Sequence, residues 1–527
     1  MIALLLSAPS LGSGLQTDDH LIVGRLERGL PLFQSFRITP QDFAEGQQFG
    51  NFPWWSGPNV RIAFLRPLSE LSTRLDMALW GDNALLMHLE NGLLYALIAW
   101  LAARIFRQLL PARSAGLAAL LFVLNDAHGH SVGWIAGRNS LLSLLFVLAS
   151  ILTYLHFRRP GVGRLASPLV LALALASAEA GVTALAYLLA HALLLAQGPL
   201  RQRLLSLWPH ALVTLAWAGI YVMGGYGAHG AAWYRDVGGA PLVTLAEGLM
   251  DLPVWLFGQL GISVISATLT VSKLAYVVVS VLLIPIVVLL IPVVRADRTS
   301  RFFALGMLLS IVPMFSTIPQ DRVTLVASLG GFGLLASAFS TLGECSSRLR
   351  RVSLRVLAAL HLGLSPLLFL QAVTSMAGIE GASRKLTSAL PHHGGGHVVL
   401  VHSPLEILTL YAPMIRRRAG GADLASLHQL YAGSADLSVT RVDARTLELR
   451  ATPGYCNLGI ECIFRAKNAT VEHEPRRFGP FVRTVSEARD GRPVAVRFVF
   501  DEPLESPCHF WLKWDGSKPV PWLPPEV

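Results

Sequence analysis

Apolar residues along this chain fall into long, nearly unbroken runs separated by short polar segments. The runs cover roughly 2–15, 84–103, 114–126, 140–157, 165–179, 181–197, 204–224, 270–294, 302–319, 323–341 and 356–377. A helix needs about 20 apolar residues to cross a hydrocarbon layer ~30 Å thick, so the pattern predicts about eleven membrane-spanning helices. The first run is the weakest, about 14 residues interrupted by Pro9, Gly12 and Gly14. A signal peptide without a basic n-region, or a truncated start, would leave such a run. Segment 242–266 is apolar but carries Glu247, Asp251 and Pro253. It predicts an interfacial or re-entrant helix, because a full crossing there would invert every later arginine group. Beyond the last run the period changes. RVDARTLELRAT (441–452) and RPVAVRFVFDEPL (492–504) alternate as strands do. The organisation expected is a membrane unit over 1–377 with a long first loop at 16–83, a linker over 378–400, and a small, mainly β domain of sandwich type over 401–527.

Composition and charge sharpen this picture. Charged residues make up 14% of the chain, against about 25% in soluble proteins, which excludes an ordinary cytosolic enzyme. Residues 378–527 hold 34 of the 76 charges, the density of a soluble domain. The net charge of +10 invites a nucleic-acid partner, but its distribution excludes one. Of 19 Lys/Arg from Arg104 to Arg355, 15 fall in five groups: Arg104/Arg107/Arg113, Arg158/Arg159/Arg164, Arg201/Arg203, Arg295/Arg298/Arg301 and Arg348/Arg350/Arg351/Arg355. With the runs above, all five lie on one side, which the positive-inside rule makes the cytoplasm. The N-terminus is then inside. Loops 16–83, 125–139 and 225–241 and the C-terminal domain face outward, the periplasm if the membrane is a bacterial inner membrane.

That outer face gathers unusual chemistry. Asp18 and Asp19 follow the first run directly. Loop 16–83 carries Trp54, Trp55, Arg61 and FLRPLS with Arg66; loop 125–139 carries Asp126, His128, His130 and Arg138. Glu179 lies in a tight apolar reversal, where an acid is costly and points to function. Later come His229, Tyr234, Arg235 and Asp236, then Asp321 beside Arg322. His88 and Asn91, one helical turn apart, are expected to tie helices together. Carboxylates and arginines sharing one face suit a lipid-linked phosphate substrate. Arginines hold phosphate through charge-assisted bonds, and a carboxylate takes the proton of an attacking hydroxyl.

In its motifs the chain resembles the GT-C class of integral-membrane glycosyltransferases. These are the acidic pair after the first run, the long outer loop, Arg66-Pro67-Leu68, and Trp80-Gly81 followed by His88 and Asn91. The block AHGHSVGWIAGRNSLLSLLF (127–146) is similar to the HPVHTEAVAWISGR-type block of protein O-mannosyltransferase relatives that carry tetratricopeptide repeats. The likeness covers about residues 15–330. It implies that Asp18 or Asp19 is the catalytic base, and it matches Gly137-Arg138, Glu179 and Asp321-Arg322 to the family's GR, hairpin acid and DR. The chain departs from the pattern at Asn125-Asp126, His130 and Ala178, and 378–527 shows no 34-residue period.

The resemblance implies a polyprenyl-phosphate-linked monosaccharide as donor. A phosphate leaves as an anion near neutral pH, so it needs cations and no general acid, while an acceptor hydroxyl gains from a base. One base with arginines implies direct displacement with inversion. Arg138, Arg322 and Arg66 are expected to bind the donor phosphate, with His128, His130, Glu179, Arg235, Asp321, His88 and Asn91 as further site candidates. No cofactor or resident metal is expected, although Asp18/Asp19 offer a divalent-metal alternative. Partners are membrane lipid, the donor, and a glycan or protein acceptor. The alternatives are a transporter or flippase of lipid-linked sugar, and a non-catalytic membrane assembly protein. Of Cys456, Cys462 and Cys508, one pair is expected to form a disulfide. His392, His393, His397 and His402 are read as part of a flexible Gly-rich linker.

Overall fold

A computed structural model describes residues 1–156, 163–263, 272–342, 347–457, 461–466 and 468–526. Every expected apolar run coincides with helix over most of its described length. Five helices have the length and composition to cross a membrane: Ala84–Leu109, Ile135–His156, Lys273–Ala296, Arg298–Ser316 and Arg348–Ala389. The shorter apolar helices Ile2–Gly12, Ala112–Leu124, Leu165–Ser177, Glu179–Leu194 and Ala327–Leu342 pack with them. Helix ends are marked by side chains that accept free amide protons. Asn83 caps Ala84–Leu109, and Asp297 caps Arg298–Ile311 through Thr299 N (2.6 Å) and Ser300 N (2.9 Å). Lys273–Ala296 leaves Leu274, Val277, Val281, Ile284 and Val288 exposed, an apolar face suited to lipid. The protein is therefore a helical membrane protein with a C-terminal sheet region. Segment 242–266 begins within the helix Pro241–Leu260, packed against Lys273–Ala296 and the turn Val312–Ser316, and its residues 264–266 lie outside the described residues. Arg158 and Arg159 of the second arginine group lie outside the described residues.

The loops expected on the outer face meet at one end of the bundle. Strands Arg37–Ile38, Arg61–Ala63 and Gly227–His229 form one antiparallel sheet, joining the first loop to loop 225–241. The block 127–146 packs on the helix Ser365–Val373 so closely that Gly129 and Gly133 have no room for a side chain. A Cβ on Gly133 would lie inside the Val373 carbonyl.

The region read as a linker is mostly regular structure. Residues Met376–Ala389 form a helix, and His397–Leu400 form a strand. Alternation, the sequence signal for strands, is absent from HVVL because that strand is buried and lies between two parallel neighbours. The C-terminal unit has a five-stranded antiparallel sheet, built on Asp436–Asp443, Thr446–Thr452, Arg492–Phe500, Phe481–Arg489 and Arg476–Phe478. Its second sheet, Pro519–Pro521, His509–Trp514, His397–Leu400 and Ser426–Gln429, is mixed. The sheets share a core of Val399, Leu447, Phe481, Phe498 and Trp511. Helices Met376–Ala389 and Leu408–Arg418 cover the other face of the mixed sheet through Leu386, Leu408 and Ala412. The expected sandwich thus carries an added helical layer.

Trp54 and Trp55, from the first loop, are buried in that shared core. Trp54 Nε1 donates to Leu430 O (3.0 Å) and Trp55 Nε1 to Glu406 Oε2 (2.9 Å). A disulfide joins Cys456 and Cys462, leaving Cys508 free and exposed. His397 meets Ser426, while His402 meets Gly433 O and stacks on Tyr431, so these two histidines serve the β unit separately.

Candidate active site at one end of the bundle

The acid pair opens the helix Asp18–Glu27. Thr17, just before it, has φ of 49°, a left-handed conformation uncommon for a β-branched residue. Glu380, on the helix after the last apolar run, holds this junction. Its Oε2 accepts from Thr17 N (3.2 Å), its Oε1 lies 3.1 Å from His20 Nε2, and Arg384 lies 2.7 Å from Oε1.

The two aspartates differ. Asp19 is 1% exposed, and both its oxygens are engaged: Oδ2 accepts from Gln16 N (2.8 Å) and Oδ1 from Ala136 N (2.7 Å). Burial pushes its carboxyl up to about 8, against the lowering effect of those two bonds. It locks the first loop to the 127–146 block. Asp18 is half-buried, and its Oδ1 accepts from the Tyr411 hydroxyl at 2.6 Å. Burial raises the Asp18 carboxyl above its ordinary value, opposed by the Tyr411 bond and the charges of Arg322 and Arg66. Asp18 Oδ2 has no hydrogen bond among the described residues.

Arg66 donates to Glu179 Oε2 through Nε (3.0 Å) and Nη2 (2.8 Å), which explains the acid in the apolar reversal. Its guanidinium also lies over Phe64, 4.2 Å from the ring centroid. Ser69 reinforces the contact by donating to Ser177 O (2.8 Å). Arg322 donates from Nε to Gln320 Oε1 (2.8 Å) and lies over Trp134, 5.6 Å from the ring centroid. Its terminal nitrogens donate to nothing among the described residues. Trp134 Nε1, Gln320 Nε2 and Glu179 Oε1 are buried and likewise unpartnered there. His130 packs edge-on to Trp134 (5.3 Å) and meets Ser375 Oγ (3.1 Å). Burial, aided by the Arg322 charge, pushes this histidine down to about 3, so it is neutral. Asp18, Arg66, Glu179, Arg322 and His130 therefore form one linked set.

The other candidates are engaged within the fold. Arg138, expected to hold phosphate, is 3% exposed and already filled. It donates to Asn91 Oδ1 (2.8 Å), Met87 O (2.8 Å) and Ser72 Oγ (3.3 Å), and pairs with Asp76 and Glu90. Arg235 is equally engaged, by Glu247, Asp251, Phe315 O and Thr317 O. Asp321 accepts from Ser263 Oγ, and Ser263 N donates to Asp126, so these acids brace the bundle together. His128 is fixed between Tyr95 and Ser328. His88 binds Gly14 O, and Asn91 binds Val132 O and Trp134 O, the tying role expected of them. Among the described residues, no group of three His, Cys, Asp or Glu side chains is arranged to hold a metal ion.

Tyr411 and Glu380 escape sequence reasoning. Glu380 carries the signal that marks Asp18, an acid just beyond an apolar run. Tyr411 carries none, being an aromatic on a helix of the C-terminal unit.

Over about a quarter of its length the chain is similar in sequence to proteins of one class of membrane enzyme, the glycosyltransferases. Over 138 residues, 25% of this chain, it is 32% identical to Protein O-mannosyl-transferase TMTC3 of Mus musculus. Over 126 residues, 23% of this chain, it is 38% identical to Protein O-mannosyl-transferase Tmtc1 of Drosophila melanogaster. The matched stretches span only 15% and 14% of those relatives' lengths. These likenesses uphold the resemblance drawn from the motifs. Among solved structures, the chain is similar to ArnT from Cupriavidus metallidurans bound to undecaprenyl phosphate (12% identity, 94% of this chain and 96% of that one, TM-score 0.40). It is also similar to the apo Archaeoglobus fulgidus oligosaccharyltransferase (10% identity, 81% and 64%, TM-score 0.46). No protein-family model matches the chain.

Proposed function

We propose that this protein transfers a monosaccharide from a polyprenyl-phosphate-linked donor to an acceptor hydroxyl, with inversion, on the periplasmic face of a bacterial inner membrane. Eleven crossings would put the acid pair and the C-terminal unit on that face. One observation carries the reading. Asp18, with one oxygen unclaimed, lies within electrostatic reach of Arg322 and Arg66, and Arg322 has unfilled donors.

Asp18 is the base in this reading, because Asp19 spends both oxygens on backbone amides. Arg322 holds the lipid phosphate, with Gln320 Nε2 and Trp134 Nε1 as neighbouring donors. Arg66, steadied by Glu179, adds a second positive charge. The acceptor oxygen attacks the anomeric carbon as Asp18 takes its proton, and the sugar–phosphate bond breaks with its electron pair on the phosphate. Arginines stabilise that developing charge. No resident metal is part of the reading, so a chelator should leave transfer intact. The acceptor is a hydroxyl of a protein, lipopolysaccharide or surface polymer.

The test is mass spectrometry of lipid extracts from cells expressing wild type or Asp18→Asn at equal levels. The variant should accumulate a polyprenyl-phosphate monosaccharide that the wild type consumes. Identical donor pools would remove the base assignment.

A further inference from the structure

Tyr411 belongs to the soluble unit, yet its hydroxyl donates to Asp18 across 393 residues of chain. It lies on the helix Leu408–Arg418, is 5% exposed, and that helix packs against Asp18–Glu27. The far end of the helix is fastened too, since Arg418 pairs with Glu27 (2.8 Å) and Asp82 (3.2 Å). Two attachments one helix apart hold the phenol in place against the carboxylate. A donor on one carboxylate oxygen fixes the plane of the group and favours its charged form.

We propose that Tyr411 is a positioning residue for the base, so that the soluble unit completes the catalytic centre of the membrane unit. The inference rests on the reading of Asp18 as base. Tyr411 occupies Oδ1 and keeps its own proton; Oδ2 remains to take the proton of the acceptor hydroxyl. The groups that bear on Asp18 from the elements around it are Tyr411, Arg322, Arg66 and Asp19. Tyr411 keeps its proton at working pH, so its hydroxyl can be removed without deleting a charge.

The test uses the full chain in detergent and needs neither donor nor acceptor. A water-soluble carbodiimide modifies protonated carboxyls, and peptide mass spectrometry reads Asp18 modification against pH. Tyr411→Phe should raise the midpoint. At a fixed pH above it, modification should grow roughly tenfold for each tenfold fall in the acidity constant of Asp18. An unmoved midpoint in a variant that elutes and melts like wild type would overturn the proposal. Should the Phe variant fail to fold, fluorotyrosines at position 411 keep the ring and make the hydroxyl more acidic. The midpoint should then fall in step with phenol acidity, and a flat response would overturn the proposal. Transfer activity separates this from the function itself. If Asp18→Asn retains transfer, the reading of the base falls while the Tyr411–Asp18 linkage stands on its own measurement. If that reading holds, Tyr411→Phe moves the acid limb of kcat/KM to higher pH, whereas simple unfolding lowers activity at every pH.

Discussion

A guanidinium buried at the end of a helical bundle costs several kcal/mol unless the protein meets its donors. Arg138 and Arg235 have theirs met by carboxylates and backbone carbonyls, whereas half-buried Arg322 has only its Nε met, by Gln320, among the described residues. That difference separates arginines spent on the fold from one with donors to spare and makes opposite predictions. Arg138→Ala leaves Asp76 and Glu90 without their partner and should cost about 3–5 kcal/mol of stability, read as a lower melting temperature in detergent. Arg322→Ala should leave melting nearly unchanged and raise KM for the donor roughly 10- to 100-fold, the worth of one or two charge-assisted hydrogen bonds. At Asp18 burial lifts the carboxyl above its ordinary value, with Arg322 and Arg66 pulling against it. A base works deprotonated, so activity should fall as pH drops, with the acid limb of kcat/KM above the ordinary aspartate range near 4. A limb at or below that range would mean that Asp18 is not the titrating base.

Among the elements, the 127–146 block is the frame on which the site is built. Its backbone amide at Ala136 holds Asp19, its Trp134 carries Arg322, and its glycines let it sit against the helix Ser365–Val373. Gly133→Ala forces that contact apart and should destabilise by about 1–3 kcal/mol or more, with reduced transfer, as site and seam move together. Much of this was legible in the sequence. Apolar runs located the helices, and the alternation of loops between them allowed Asp18, Arg66, Glu179 and Arg322 to be read as neighbours. What the sequence lacked was any way to rank them. Arg138 and Arg66 look alike in one dimension, and only folding shows that Arg138 is consumed by Asp76, Glu90 and Asn91. Tyr411 and Glu380 were hidden for another reason. Their contacts to residues 18 and 17 close loops of 393 and 363 residues, a separation at which local pattern carries no information.

At the scale of the molecule, the loops at the Asp18 end and the C-terminal unit form one body over the bundle. Trp54 and Trp55 are part of the β core, and Tyr411 is part of the acid site. This arrangement predicts a sided labelling pattern. With Cys345 replaced by Ser, an impermeant maleimide should label Cys508, which is free and exposed, in intact cells. A cysteine in place of exposed Arg298, at the opposite end, should react only after permeabilisation. The reverse pattern would invert the orientation. The central claim, that Asp18 performs glycosyl transfer and Asp19 holds the fold, is tested most directly by profiling glycans. These would be glycans of surface polymers and proteins from cells carrying wild type, Asp18→Asn or no copy, at matched protein levels. The account predicts that Asp18→Asn loses the glycan as the deletion does, about 10²–10⁴-fold in transfer rate. A glycan profile for Asp18→Asn indistinguishable from wild type would contradict it.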